Sequence, residues 1–354
     1  MKSVTFIFLG ILVVGMLASL ASNKQKFYNS EMRYSSTLGD TVKIVHAFLT
    51  AKRVDAVPKT PLLNYEINPN DLRQPKNDFL YRLGHSSVLM HIDSTWILTD
   101  PVFSERASPI QWAGPKRFHP APITASSLPY IDIVIISHDH YDHLDKATIK
   151  AIDEKVGVFV TPLKVGDRLQ SWGISREKII QLDWWQSVSL NNIEFVSTPS
   201  QHFSGRGLLD RNQTLWSSWV ILGSKHRIFF SGDSGYFSGF KSIGERYGPF
   251  DFTLMEAGAY NSLWSDIHMM PEESVQAHID LQGKFMIPIH NGTFDLSMHP
   301  WYEPLERISA ITANRGVQLV TPAFGEQVVL DAPSLKNRWW LEQSANSNLE
   351  IAQF

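Results

Sequence analysis

The stretch Ile135–Asp145, IISHDHYDHLD, packs three histidines and three aspartates directly behind a run of Ile and Val. Polar groups buried without partners cost on the order of several kcal/mol, and a divalent cation satisfies imidazoles and carboxylates together. With 13 His in 354 residues, a His-x-His-x-Asp-His pattern arises from composition alone at a given start less often than about one time in ten thousand. Here the pattern is His138, His140, Asp142 and His143. A lone histidine reads best as a satisfied core or surface residue; three within six positions past a buried strand read as metal ligands. On an extended chain His138 and His140 point the same way and can chelate one ion. Asp142 and His143, beyond the turn, can face a neighbouring site. A catalytic zinc keeps about three protein ligands and one open position, so four ligands on one loop suggest two metals. The chain has no cysteine, which excludes thiolate ligands, a thiol nucleophile and disulfide staples.

Two ions need more ligands, and three further segments offer them. His202 lies in STPSQHFSGR, Asp233 in FFSGDSGY and His290 in IPIHNGT. Each stands at the C-terminal end of a predicted strand, where α/β architectures place functional groups. Gly232 and Gly235 let the backbone approach Asp233 closely. Asp100, ending the strand in LTDP, is placed to hydrogen-bond a ligand histidine from behind. Glu256 ends another strand and reads equally as such a support or as a satisfied core carboxylate.

These residues need a scaffold, and the chain from Phe79 onward supplies one. Ser87–Ile92 and Thr95–Asp100 around Asp93-Ser94 read as a hairpin. Ile131–Ser137 reads as a strand buried on both faces. Further strands are expected at 156–161, 192–198, 217–222, 227–231, 252–256 and 284–290. The helix PEESVQAHIDLQ carries Pro271 in its first turn and Glu272 and Glu273 at its positive end. A hydrophobic content of 43% suits a packed core, and strands mixed with fewer helices predict a layered α/β fold with two sheets. Three regions follow: an apolar segment at 1–22, a Pro-punctuated lead-in at 23–76 and a catalytic domain at 77–354. From Ser3 to Ser22 there is no charge, so the segment is expected to anchor the chain in a membrane; the alternative is export with cleavage near Ser19 and Ala21. A formal net charge of −3 without a basic run disfavours nucleic acid as a partner.

The chain resembles the metallo-β-lactamase-fold hydrolases, and within them the N-acyl-phosphatidylethanolamine-hydrolysing phospholipase D group and its bacterial relatives. ILTDPVFSERASP, GPKRFHPAP, SHDHYDHLD, PSQHFSGR, GDSGY and IPIHNGTF carry the likeness. The resemblance implies a four-layer αββα sandwich with two zinc ions. It assigns His138, His140 and His202 to one ion, Asp142, His143 and His290 to the other, and Asp233 to both. It also places His85 near the site without ligating, and His268 in a substrate loop.

The chemistry expected is attack by a hydroxide shared between the ions, with Asp142 or Asp233 orienting it or carrying its proton. His268 is the favoured acid for the leaving group, and Lys116 and Arg117 are candidate cations for a phosphate. A phosphodiesterase acting on a phospholipid-like or small-molecule substrate is the leading expectation. A lactone or other ester hydrolase of the same fold is the alternative, and a di-iron redox protein the reading from another class.

Overall fold

The Val/Ile run after Pro129 forms a strand that sends alternate side chains into two different cores. Ile133 and Ile135 enter one and Val134 and Ile136 the other, which explains why the run reads as continuously apolar. The structure is a computed structural model that describes residues 26–32, 38–207, 209–335 and 338–342. The apolar segment at 1–22 lies outside the described residues, among which no helix is long and apolar enough to cross a membrane.

One sheet contains β1 (Phe79–Gly84), β2 (Ser87–Ile92), β3 (Thr95–Thr99), β4 (Ile131–Ile135), β5 (Val156–Pro162) and β6 (Ile179–Leu182). The other contains β7 (Ser187–Leu190), β8 (Ile193–Thr198), β9 (Ser218–Leu222), β10 (Arg227–Phe230), β11 (Phe250–Glu256), β12 (Gly283–Ile289) and β13 (Gln318–Leu319). The last strand, β14 (Gln327–Val329), returns to pair with β1. The spatial orders are β14-β1-β2-β3-β4-β5-β6 and β13-β12-β11-β10-β9-β8-β7. The β2–β3 hairpin turns through Asp93 and Ser94, both at positive φ, as a two-residue loop matched to strand twist requires.

Side chains from both sheets meet in a shared core, with Val88, Ile133 and Val160 facing Phe195, Trp219, Phe230 and Leu254. The outer faces are covered by helices. Helices α2 (Lys146–Ile152) and α3 (Val165–Ser171) cover the first sheet, and α4 (Gly239–Tyr247), α5 (Pro271–Asp280) and α6 (Glu303–Arg315) cover the second. A separate helix, α1 (Leu38–Thr50), belongs to the lead-in. The result is the expected αββα sandwich. The two sheets are stitched where the candidate residues cluster: Ser217 N donates to Ser137 O (2.9 Å) and His290 N to His85 O (3.0 Å). Gly232 sits at φ +55, and a Cβ there would meet Ser137 Cβ at 2.7 Å, so both its conformation and the approach of the sheets require glycine.

The buried His278 of α5 makes the fold sensitive to acid away from this cluster. Its Nδ1 lies 2.7 Å from Thr253 Oγ1, and burial pulls its pKa down to about 4. Since the depressed folded value lies below the ordinary 6.5, the unfolded chain binds the proton first, and stability falls as pH drops from about 6.5 towards 4. At pH 5 this linkage is worth about 2 kcal/mol. The loss between pH 7.5 and pH 5 in urea unfolding is therefore expected to shrink by about that amount in His278→Gln; an equal loss in both chains would contradict it.

Candidate metal centre

The loop after β4 does two jobs with its three aspartates. Asp145 caps α2, its Oδ1 accepting from Ala147 N (3.1 Å) and its Oδ2 from Ser104 N (3.0 Å) and Thr148 Oγ1 (2.5 Å). Asp139 accepts from Gly205 N (2.8 Å) and pairs with Arg168 Nε (2.6 Å). These two carboxylates are satisfied by the protein, so the expectation that a cation satisfies the whole cluster is corrected. Asp142 alone turns towards the histidines.

The remaining side chains form two groups about one shared carboxylate. In the first, His138 Nε2 and His202 Nε2 lie 2.9 and 3.2 Å from His140 Nδ1, and each lies 3.7 Å from Asp233 Oδ2. In the second, His143 Nε2 and His290 Nε2 each lie 3.1 Å from Asp233 Oδ1, and 3.6 and 3.4 Å from Asp142 Oδ2. A tetrahedron built from zinc bonds of about 2.0–2.1 Å has edges of roughly 3.3–3.4 Å. The second group approximates that figure. Asp233 points one oxygen into each group.

The atoms that turn inward lack other work. His143 Nε2, His290 Nε2 and Asp233 Oδ1 are buried without a hydrogen-bond partner, an arrangement that folded proteins rarely tolerate unless something else satisfies it. Charge tells the same story. Burial works to lower both histidines, yet Asp233 and Asp142 push His143 well above the imidazole range and His290 up to about 10. Burial works to raise Asp233, yet His143 and His290 hold it well below the carboxylate range. The cavity is built for positive charge between these atoms. His85, Asp142, His143 and His290 also group within coordination distance, but His85 Nε2 is spent donating to Asp142 Oδ2 (3.0 Å). His85 therefore holds a carboxylate, and Asp233 completes that group.

Residues behind the cluster fix ring orientation. Asp100 Oδ2 accepts from His143 Nδ1 (2.7 Å) and from Ser137 Oγ (2.5 Å), and Ser137 Oγ in turn accepts from His138 Nδ1 (2.9 Å). One buried aspartate thus orients a histidine of each group. His202 Nδ1 donates to Ile267 O (2.9 Å). Glu256, fully buried at the end of β11, accepts from Ser234 N (2.9 Å), Met269 N (3.2 Å) and His268 Nδ1 (3.0 Å). That leaves His268 Nε2 outside the contact with Glu256, and His268 forms a third grouping with Asp233 and His290. Arg117 instead spends its guanidinium on His119 O (2.9 Å) and Val102 O (3.2 Å), and Lys116 pairs at the surface with Glu105 (3.7 Å).

Sequence reasoning missed the residues that hold the loops by their backbones. Arg206 NH1 donates to Asp139 O (2.7 Å) and Leu144 O (2.6 Å), and its guanidinium stacks 3.9 Å over Tyr141. Arg82, fully buried, donates to Asn291 Oδ1 (2.7 Å) beside His290 and stacks on Phe324. Neither lies in a ligand-like pattern; only an Arg within a polar loop such as SGR hints at carbonyl capture. Arg206→Ala is expected to cost about 2–4 kcal/mol, because two carbonyls lose their donor. It should also weaken metal binding about tenfold or more. Urea unfolding and chelator competition test this; unchanged metal affinity would mean that the loop holds its own shape.

The Beta-lactamase superfamily domain matches residues 95–291, which span every residue of both groups. The chain belongs to the β-lactamase superfamily. An uncharacterized protein of Mycobacterium tuberculosis is 47% identical over 264 residues, 73% of this chain and 70% of that one. The N-acyl-phosphatidylethanolamine-hydrolyzing phospholipase D 1 of Caenorhabditis elegans is 34% identical over 280 residues, 74% of this chain and 78% of that one. Outer membrane protein RomA of Klebsiella pneumoniae is 50% identical over 94 residues, 27% of this chain and 70% of that one. Among solved structures, the metallo hydrolase Igni18 of Ignicoccus hospitalis superposes with a TM-score of 0.55 at 20% identity, over 72% of this chain and 98% of that one. That likeness shows the shared fold. The protein is a metal-dependent hydrolase of this superfamily, with histidine and aspartate clusters that could hold metal.

Proposed function

We propose that the protein is a two-zinc phosphodiesterase of phospholipase D type acting on a phospholipid-like substrate. The observation that carries this reading is Asp233, which directs one carboxylate oxygen into each of the two histidine groups. His138, His140 and His202 would hold one ion, Asp142, His143 and His290 the other, and Asp233 both. Ions bound there would supply a water acidified towards neutrality and Lewis-acid contacts for a phosphoryl oxygen.

The chain's own residues supply the rest. His85 holds Asp142 in place, and Asp100 fixes the rings of His143 and His138 through the contacts given above. Glu256 takes His268 Nδ1–H, so His268 Nε2 is the atom that holds and delivers a proton to the departing oxygen. Phe203 packs against His140 and His202 at ring distances of 4.6 and 4.8 Å, putting an apolar wall beside the first group. A lipid substrate agrees with that wall, with the apolar stretch Ser3–Ser22 and with the activity named for the nematode relative. Membrane association through the N-terminal segment belongs to the same reading, and the partial match to an outer membrane protein supports it.

Hydrolysis of bis(p-nitrophenyl) phosphate and of N-acyl-phosphatidylethanolamine vesicles, set against a lactone panel, tests the substrate class. Turnover of both phosphodiesters above every lactone supports the proposal. Lactone hydrolysis without phosphodiester hydrolysis would replace it with the ester-hydrolase alternative.

A further inference from the structure

A short strap from the lead-in, residues 26–32, is pinned across the loop that carries His202. Phe27 N donates to Asn212 O (2.8 Å) at one end. At the other, the Glu31 carboxylate accepts from Ser238 N (3.3 Å) and from Ser238 Oγ. Between them Asn29 Nδ2 donates to His202 O (3.0 Å), and Asn29 Oδ1 accepts from His202 N (3.0 Å) and from Trp216 Nε1 (2.9 Å).

The Asn29 amide therefore satisfies both backbone groups of a single residue, as the peptide of a neighbouring strand would. That residue is His202, buried, four positions past the end of β8 and one past the isolated bridge between Gln201 and Gly235. Its ring is fixed by Ile267 O, and its backbone by Asn29. Trp216, fully buried, ties the same Asn29 oxygen to Ser200 O through its shared Nε1 (3.0 Å). Two aromatic and amide groups thus lock Ser200 to His202 from outside the sheet.

We infer that Asn29 is a positioning residue for the metal site of His138, His140 and His202, acting through the backbone of His202; the inference rests on reading that group as a metal site. A ligand whose backbone is free to rotate must be ordered again at each binding event, and the cost falls on metal affinity. Loss of such outer support typically lowers affinity 10–100-fold. The asymmetry is specific: the group of Asp142, His143 and His290 makes no hydrogen bond to the strap among the described residues.

The test uses the full-length, zinc-loaded chain and follows release of each ion to a chromophoric chelator. Asn29→Ala is expected to release one of its two ions at least tenfold faster, leaving the other within about twofold of wild type. Asn29→Asp keeps an acceptor for His202 N and Trp216 Nε1 but sets an oxygen against His202 O where Nδ2 donated, so it should release the fast ion at a rate between wild type and Asn29→Ala. Glu31→Ala loosens the strap at Ser238 only and should leave both rates unchanged. A wild-type chain that loads two ions, with Asn29→Ala releasing both at the wild-type rate, overturns the assignment alone. Acceleration by Glu31→Ala equal to that of Asn29→Ala also overturns it, because the effect would then be general loosening. A wild-type chain that loads fewer than two ions overturns the two-metal reading beneath it.

Discussion

Asp233→Asn is expected to lower kcat/KM at least about 1,000-fold and to reduce bound zinc from two per chain to one or none. The magnitude follows from its position. Oδ1 stands 3.1 Å from both His143 Nε2 and His290 Nε2, and Oδ2 stands 3.7 Å from His138 Nε2 and His202 Nε2. Asparagine keeps the shape but turns one acceptor into an N–H donor and removes the negative charge. One group would then face a donor where it needs a ligand, and both would lose the carboxylate that screens two cations from each other. Elemental analysis beside steady-state kinetics checks this. Two tightly held ions in an active variant would remove Asp233 from the centre.

The second large effect is kinetic and spares the metal. His268→Ala is expected to lower kcat about 100–1,000-fold on an alkyl phosphodiester, the range for loss of a positioned acid, while zinc stays at two per chain. Its Nδ1 is committed to Glu256, so the ring is held for Nε2 chemistry and is not needed as a ligand. The substrate discriminates the role. p-Nitrophenolate departs without a proton, so on bis(p-nitrophenyl) phosphate the loss should shrink to about tenfold or less. Equal losses on both substrates would assign His268 to binding or structure. Glu256→Gln should reproduce the same substrate-dependent pattern in weaker form, since His268 itself remains, although Ser234 N and Met269 N bond different oxygens of Glu256 and only one of them keeps its acceptor.

The parts of this site that were legible in the sequence share a physical cause. His138, His140, Asp142 and His143 cluster because one turn after a buried strand brings them together, and that turn is local. His202, Asp233 and His290 were legible because each closes an apolar β-run, a signal that also gave β4, β5, β8, β10, β11 and β12. Short β6 and β7 carried no such signal: β7 is the half-exposed SVSL, with too little apolar content to stand out. Asp139, which the His-x-His-x-Asp-His pattern passes over, serves Arg168, and an aspartate between histidines does not announce its direction. Asn29, Arg82 and Arg206 act on backbone atoms of His202, Asn291 and the loop at 139–144, which lie 173, 209 and about 65 residues away. Carbonyls and amides have no sequence signature, so such supports emerge only once the loops are placed in space.

The central claim, two ions acting together about Asp233, is met most directly by titrating zinc into chelator-stripped protein while following bis(p-nitrophenyl) phosphate hydrolysis. Activity should stay low through the first equivalent and plateau at two per chain. A plateau at one equivalent, or zinc uptake without any phosphodiester turnover, would contradict the account.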